Sequence, residues 1–199
     1  MTNLHKWTWI TGLAAAIGLS CVGAEVSRQS NDSAPGNAAF NQGSGALKFQ
    51  LTSSAFTQGG YIPPKYTGDG VDVSPPLKWT GVPENVKSFA LICDDPDAPV
   101  GTWVHWVLYD IPPAATELPE ATPKLEHLPN GMKQGINSFG KVGYGGPEPP
   151  KGSEHRYYFK LYALDMDPPL DARAHKTDLE KAMQRHIVAR AELMGRYRR

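Results

Sequence analysis

The amino-acid sequence predicts a mainly β fold, and three features of the 199-residue chain carry that prediction. Proline and glycine are abundant, with 18 and 20 residues, which favours turns over long helices. Every proline lies at or before Pro169, so helices are expected to be scarce up to that position. Several short segments rich in aromatic and aliphatic residues are flanked by Pro or Gly turns, which is typical of strands.

The strand-like segments occupy residues 47–51, 88–93, 103–111 and 156–164. In the third segment, from Trp103 onward, the residues on both alternating faces are large and mostly apolar. A strand of that kind is normally covered on both sides. We therefore expect residues 103–111 to form a central strand of a sheet.

One helix is predicted near the C-terminus. Residues Thr177 to Glu180 have the capping-box pattern, in which the threonine accepts from the third helical amide and the glutamate reaches back. Apolar residues then recur at helical spacing, which is typical of a surface helix that docks on a core. This stripe consists of Leu179, Ala182, Met183, Ile187 and Met194.

The first 24 residues resemble a secretory signal, with a positive charge at Lys6 and an apolar stretch at residues 7–19. Small residues predict cleavage after Ala24, whereas lipidation at Cys21 is the alternative, with a lipoprotein signal that ends at residue 20. The protein is therefore expected to be exported, either to the periplasm or as a secreted protein. If Cys21 is lipidated, the exported protein would be anchored by lipid. Residues 25–46 are polar and predict a flexible linker, and residues 47–199 have the length of a single domain.

Charge and cysteine content exclude some classes of protein. The formal net charge is zero, so nothing predicts a nucleic-acid partner. Cleavage after Ala24 would leave Cys93 as the sole cysteine, which rules out an internal disulfide. Cys93 lies in an apolar segment and is expected to be a small buried hydrophobic residue rather than a reactive thiol.

Two separated segments carry the polar residues that suggest a pocket. In the first, Pro96 and Pro99 restrict the backbone around Asp95 and Asp97 and so hold these carboxylates in defined directions. An ordinary tight turn is the alternative for this stretch. His105 follows within a strand, so it is expected to face away from Val104 and Trp106 and toward the same side as Trp103 and Val107. Taken alone, it also fits a satisfied core histidine.

The second segment is the Gly/Pro-rich stretch 142–152, which ends at His155 and Tyr157. Glycines let backbone amides approach a ligand closely, and prolines stiffen the rim of a loop. His155 and Tyr157 are two residues apart on a strand and so point to the same face. With His105 they predict hydrogen bonds to a phosphate, sulfate or carboxylate, with an affinity that rises toward mildly acidic pH because protonated histidine binds anions more strongly.

Taken together, these motifs resemble the phosphatidylethanolamine-binding protein (PEBP) family, in particular its bacterial, Raf kinase inhibitor-like branch. The likeness spans roughly residues 47–197. It rests on Asp95-Pro96-Asp97-Ala98-Pro99, Trp103-x-His105 and Gly145-x-Pro147-x-Pro149-Pro150-x-Gly152-x-x-His155-Arg156-Tyr157, with flanking matches at Ile62-Pro63, Tyr66-Thr67, Ser74-Pro75-Pro76-Leu77-x-Trp79 and Leu161-Tyr162-Ala163-Leu164-Asp165.

The resemblance implies a large central sheet packed on a second, smaller sheet, with a few peripheral helices including a C-terminal one. It also implies an anion pocket that accepts phosphate-like or phospholipid head groups. Because the two histidines and the tyrosine have no paired nucleophile, we expect the pocket to bind its ligand without catalysis. The residues carried over by motif are Asp95, His105, His155 and Tyr157 for binding, Pro96, Asp97, Pro149 and Pro150 for the rim, and Trp103 for the mouth. Two positions depart from the family pattern: Gly68, where members of the branch often have cysteine, and Glu148, an acid inside the Gly/Pro loop.

Other functions remain open at this point. The leading alternative is an inhibitor of a periplasmic or secreted protease that acts through protein–protein binding. A phosphoesterase or metal-dependent hydrolase using Asp95, Asp97, His105 and His155 is less expected, because the chain has neither a Gly-x-Ser-x-Gly elbow nor HExxH spacing. No cofactor and no metal are predicted, and a homodimer is an open alternative.

Overall fold

The computed structural model describes residues 48–199. The predicted signal peptide at residues 1–24, the lipidation at Cys21, the linker at residues 25–46 and the first residue of the predicted domain lie outside that part of the chain. Within residues 48–199, no helix is both long and apolar enough to cross a membrane.

Two antiparallel sheets form the fold, as the sequence predicts. The larger has five strands in the order β6-β4-β3-β7-β8, and the smaller has three in the order β1-β2-β5. The strands are β1 Gln50–Thr52, β2 Leu77–Thr80, β3 Ser88–Asp95, β4 Trp103–Ile111, β5 Glu117–Leu118, β6 Lys133–Gln134, β7 Glu154–Leu164 and β8 Ile187–Arg198. A 3-10 turn at Pro64–Tyr66 and helix α1, Lys176–Met183, complete the elements.

The core has two parts because both faces of the larger sheet are covered. Strand β3 is buried at every residue. Its alternate residues Phe89, Leu91 and Cys93 face a cluster shared with the smaller sheet. Ala90 and Ile92 face the opposite cluster, to which α1 contributes Leu179 and Met183. The expectation that β4 is a central strand is confirmed, since it pairs with β3 on one side and β6 on the other.

The C-terminal helix is shorter than the sequence predicts. It starts after His175 rather than Thr177, with the His175 N–H donating to Asp178 Oδ2 at 2.9 Å, and it ends at Met183. The predicted helical residues Ile187 and Met194 instead belong to β8, which pairs with β7 along its length. Strand geometry prevails there because alternate residues are buried, which turns one face of β8 toward the core.

Candidate functional site

Strand register brings the two polar segments together. Asp95, at the end of β3, pairs with Trp103 at the start of β4. On the other side of β3, Asp94 pairs with Tyr158 near the start of β7. The end of β3 and the beginnings of β4 and β7 therefore meet at one edge of the sheet, and a single site is assembled from segments about fifty residues apart in sequence.

Asp95 orients one of the predicted histidines. Its Oδ2 atom accepts a hydrogen bond from His155 Nδ1 at 2.7 Å, and its Oδ1 atom accepts one from the Asp97 N–H at 2.8 Å. Asp95 and His155 are both buried, with 3% and 6% of their surface exposed. Because an ionised carboxylate only accepts hydrogen bonds, Nδ1 of His155 carries the proton in this contact.

His105 lies at an irregularity of β4. Cys93 pairs with Trp106 while Asp94 pairs with Val104, so His105 is an extra residue in the ladder, as in a β-bulge. The ring lies against Tyr157, which belongs to the cluster under the smaller sheet, whereas Val107 belongs to the opposite cluster. The sequence-based expectation that His105 shares a face with Val107 is therefore wrong, because simple strand alternation breaks at a bulge.

The hydrogen bonds of His105 are only half satisfied. Nδ1 donates to the Gly145 carbonyl at 2.6 Å, whereas the buried Nε2 atom has no partner within residues 48–199. Burial lowers the pKa of His105 below its usual value of 6.5, although the Gly145 carbonyl and the nearby Asp95 act against that shift. In the uncharged ring, Nε2 therefore carries a lone pair, and an anionic ligand beside it would favour its protonation.

Tyr157 completes this group. Its ring centroid lies 5.1 Å from that of His105, with an interplanar angle of 83°. The hydroxyl is buried and has no hydrogen-bond partner in the described part of the chain. Burial raises the pKa of the phenol well above its ordinary value of 10.0, so Tyr157 retains its proton and acts as a hydrogen-bond donor.

The rim of the site is tied together by one ion pair. The Asp97 carboxylate accepts from Nε and Nη2 of Arg156 at 2.9 and 2.6 Å and from the Arg156 N–H at 2.9 Å. This pair lowers the pKa of Asp97 and fixes the β3–β4 turn to the start of β7. Among the predicted rim and mouth residues, Pro149 is buried, Pro96 and Pro150 are exposed, and Trp103 is half-buried.

One wall residue escaped the sequence-based assignment. The Phe139 ring packs edge-on against Trp103 and His105, with centroid distances of 5.4 and 5.5 Å, and remains 38% exposed. Asn137 holds the loop, because its Oδ1 atom accepts from the N–H groups of Phe139 and Lys141. The only sequence signal was the Asn-Ser-Phe-Gly turn at residues 137–140, which does not indicate the direction of the ring.

Asp94 is not part of the site, although it neighbours Asp95 in sequence. It faces the helix side of the sheet, where it is 1% exposed and paired with Lys160 Nζ at 2.7 Å and Lys176 Nζ at 2.5 Å. Lys160 comes from β7 and Lys176 from the first turn of α1. The two adjacent aspartates thus have separate tasks: Asp94 holds α1 to the sheet, and Asp95 orients His155.

The two departures from the family pattern are packed against each other. A Cβ atom at Gly68 would lie 3.1 Å from Oε2 of Glu148 and 3.2 Å from its Cβ, which is tighter than ordinary van der Waals contact. The Glu148 side chain is exposed, and its carboxylate lies 3.2 Å from Arg199 Nη1. The lack of a side chain at position 68 therefore makes room for Glu148, whose charge is directed to the surface.

Metal ligation finds no support in this geometry. Within residues 48–199, no three or more His, Cys, Asp and Glu side chains are placed to hold a metal ion. Cys93 is buried, and burial together with Asp94 raises its pKa well above the usual range, so it is held as a neutral thiol. What the site offers is one phenol donor and two imidazoles beside a carboxylate.

Comparison with known proteins decides the family. The model of the phosphatidylethanolamine-binding proteins matches residues 52–198. The chain belongs to the PEBP family. A UPF0098 protein of Methanothermobacter thermautotrophicus is 52% identical over 149 residues, which cover 75% of this chain and 98% of that protein. A UPF0098 protein of Aquifex aeolicus is 49% identical, with 78% and 91% of the two chains covered.

Solved structures of PEBP proteins share the fold. The PEBP homolog CT736 from Chlamydia trachomatis matches with a TM-score of 0.70 at 42% identity, covering 76% of this chain and 98% of its own. E. coli YbcL, described as a member of the mammalian PEBP family, matches with a TM-score of 0.72 at 36% identity, covering 76% and 99%. Both likenesses confirm the predicted architecture of a large and a small sheet.

Proposed function

We propose that this PEBP-family protein binds a small anionic ligand, a phosphate-like group or the head group of a phospholipid, and that it does so without catalysing a reaction. The observation that carries the proposal is the pair of buried polar atoms without partners, His105 Nε2 and the Tyr157 hydroxyl, on adjacent rings. Family membership supports a binding function in general. The anion and the residues that hold it are our proposal.

The expected ligand contacts follow from which side-chain atoms carry a proton that they can donate. Tyr157 donates its hydroxyl, because its raised pKa keeps the proton in place. His105 donates from Nε2 only when protonated, since Nδ1 already donates to Gly145. Binding an anion at His105 therefore takes up a proton and raises the pKa of His105 above its value in the free protein. His155 already donates from Nδ1 to Asp95, so we expect it to donate a second hydrogen bond to the anion from Nε2 only when its ring is protonated as well.

The energetic argument concerns the cost of leaving these atoms unpaired. A buried polar group without a hydrogen bond costs about 1–3 kcal/mol. A ligand oxygen that accepts from Tyr157 and from protonated His105 removes that cost and adds charge-assisted hydrogen bonds. The neutral, buried Cys93 supplies no thiolate near the site, so the chemistry favours holding a ligand over attacking it.

A phosphate titration tests the proposal. The imidazole signals of His105 and His155 should shift saturably in NMR spectra as inorganic phosphate is added. The exposed His127 serves as an internal control and should stay unchanged. Absence of a saturable shift at both site histidines, at pH 6 and at pH 7.5, would overturn the proposal.

Export is a further part of the proposal, supported by the charge and hydropathy pattern of residues 1–24. The mass of the protein recovered from its own cells tests it. A mature chain that starts at Glu25, or a lipidated chain that starts at Cys21, agrees with export, and an uncleaved chain that retains residues 1–24 contradicts it.

A further inference from the structure

A cavity lies on the face of the larger sheet that α1 covers, away from the proposed anion site. Tyr162 of β7 belongs to the core cluster on the α1 side, whereas Tyr157 belongs to the cluster under the smaller sheet. The cavity has a volume of about 420 Å³, and small-molecule sites typically have about 300–1,000 Å³. Its lining residues are Tyr162, Glu180, Lys181, Met183, Gln184, Ile187 and Arg190.

The reversal of the chain between α1 and β8 forms this cavity. Helix α1 ends at Met183, and the His186 N–H donates to the Met183 carbonyl at 2.9 Å in the turn that leads to β8. Strand β8 then runs beside β7, with Arg190 directly opposite Tyr162. The last turn of the helix and the first residues of β8 therefore line one space together with Tyr162.

Arg190 and Tyr162 are in contact across the two strands. The Arg190 guanidinium lies over the Tyr162 ring, 5.7 Å from its centroid, which is a favourable position for a cation. Tyr162 is buried, and burial followed by the charge of Glu180 raises its pKa to about 12, while Arg190 acts against that shift. The phenol therefore keeps its proton as a hydrogen-bond donor, and both charged residues are close enough to act on it.

Positive charge predominates among the residues that line the cavity. Glu180 carries the negative charge, and Lys176 Nζ lies 3.6 Å from its carboxylate. Lys181 and Arg190 form no ion pair with any carboxylate in residues 48–199. The cavity thus contains two cations whose charges are available to an anionic ligand.

An apolar surface lies beside these cations. Met183 is buried and Ile187 is half-buried, and both pack with the core cluster on the α1 side. An aliphatic group placed on them removes apolar surface from water, which is favourable by about 25 cal/mol per Å². Arg190 adds a planar fork of N–H donors, which matches the geometry of a carboxylate.

We infer that this cavity binds a carboxylate that carries a short aliphatic group. The carboxylate accepts from Arg190, Lys181 and the Tyr162 hydroxyl. The aliphatic group lies on Met183 and Ile187. Two sources have this chemistry: a free short-chain carboxylic acid, and the C-terminal end of a peptide whose last residue is aliphatic. The inference is independent of the proposed anion binding, because the two sites lie on opposite faces of the larger sheet.

NMR titration of the ¹⁵N-labelled full chain tests the inference with 4-methylpentanoate and its uncharged amide, 4-methylpentanamide. The two compounds share the aliphatic group and differ in charge. The carboxylate should shift the backbone signals of Lys181 and Arg190 saturably. The amide should bind about fivefold more weakly, which corresponds to the loss of one exposed ion pair.

Three variants separate the cavity from other charges. Arg190→Gln and Lys181→Gln should each weaken the binding of 4-methylpentanoate by about three- to fivefold. Lys181 is exposed on α1, so its substitution leaves the packing on Tyr162 in place. Arg198→Gln removes an exposed arginine of β8 outside the cavity and is the charge-matched control, which should bind as the wild type does.

Equal affinity for the two compounds, or wild-type affinity in both cavity variants, overturns the inference. The same loss in Arg198→Gln, or signal shifts confined to His105 and His155, overturns it as well. The peptide acetyl-Gly-Gly-Leu then distinguishes the sources, and either result agrees with the inference. Binding of the peptide that depends on Arg190 identifies a C-terminal carboxylate as the ligand, whereas binding of 4-methylpentanoate alone identifies a free acid.

Discussion

Removal of the Tyr157 hydroxyl gives the sharpest test of the site, because stability and binding should change in opposite directions. Tyr157 is 1% exposed and its hydroxyl has no partner within residues 48–199. Leaving a buried hydroxyl unpaired costs about 1–3 kcal/mol. Tyr157→Phe keeps the ring that packs on His105, so the free energy of unfolding should stay constant or rise by about 1 kcal/mol. For a domain of this size that rise corresponds to roughly 2–4 °C in Tm.

Tyr144→Phe is the matched control. Tyr144 is also 1% exposed, but its hydroxyl donates to the Tyr66 carbonyl at 2.7 Å. Its removal leaves that buried carbonyl short of a donor and should lower the free energy of unfolding by about 1–2 kcal/mol. Urea denaturation measures both variants under the same conditions without phosphate.

Phosphate binding provides the second readout for the same pair of variants. Loss of one hydrogen bond to the anion should weaken phosphate binding to Tyr157→Phe by about three- to tenfold, and Tyr144→Phe should bind as the wild type does. If Tyr157→Phe is destabilised as much as Tyr144→Phe, the Tyr157 hydroxyl has a structural partner and the reasoning is refuted. If Tyr157→Phe binds phosphate with unchanged affinity, the hydroxyl does not contact the anion and the reasoning is refuted as well.

Three further predictions concern charged groups. Asp95→Asn should lower the free energy of unfolding by about 1.5–3 kcal/mol, because the Asn side chain cannot accept at both positions from His155 and from the Asp97 N–H. The same variant should shift the tautomer of His155, which ¹⁵N NMR detects. A His155 that stays protonated at Nδ1 would contradict this prediction. Asp94→Asn should lower the free energy of unfolding by about 2–4 kcal/mol in urea denaturation, because it leaves the partly buried Lys160 without its counter-charge and Lys176 with only the Glu180 carboxylate at 3.6 Å. Phosphate affinity should stay unchanged, and loss of phosphate binding in a folded variant would show that Asp94 serves the site. Since burial lowers the pKa of His105, this histidine binds a proton more readily in the unfolded chain than in the folded protein. The contribution of His105 to stability is therefore lost as pH falls through 6.5. Phosphate affinity should rise by up to about tenfold per pH unit over the same fall, and a flat profile in calorimetry would oppose protonation of His105 on binding.

The sequence predicted the elements whose signals are local. The segment 103–111 is apolar on both faces and forms β4 with the predicted bounds. His155 and Tyr157 share a face because a strand alternates, and no long-range information is needed for that. The C-terminal segment was misassigned because Leu179, Met183 and Ile187 fit helical spacing. The same segment also contains a strand-like alternation, formed by Ala189, Ala191, Leu193 and Tyr197. This alternation prevails over the helical spacing only because the segment pairs with β7.

By itself, then, the sequence determined the family and the mainly β architecture, and it supplied the residues that we propose to bind an anion. Only the tertiary structure decided which of them face one another. It directed Asp94 to α1 and Asp95 to His155, placed His105 at a bulge, and set the Phe139 ring against it. Pairing between distant strands fixes such contacts, and a one-residue shift of register reverses the face of every side chain, so neither local propensity nor motif spacing could have specified them.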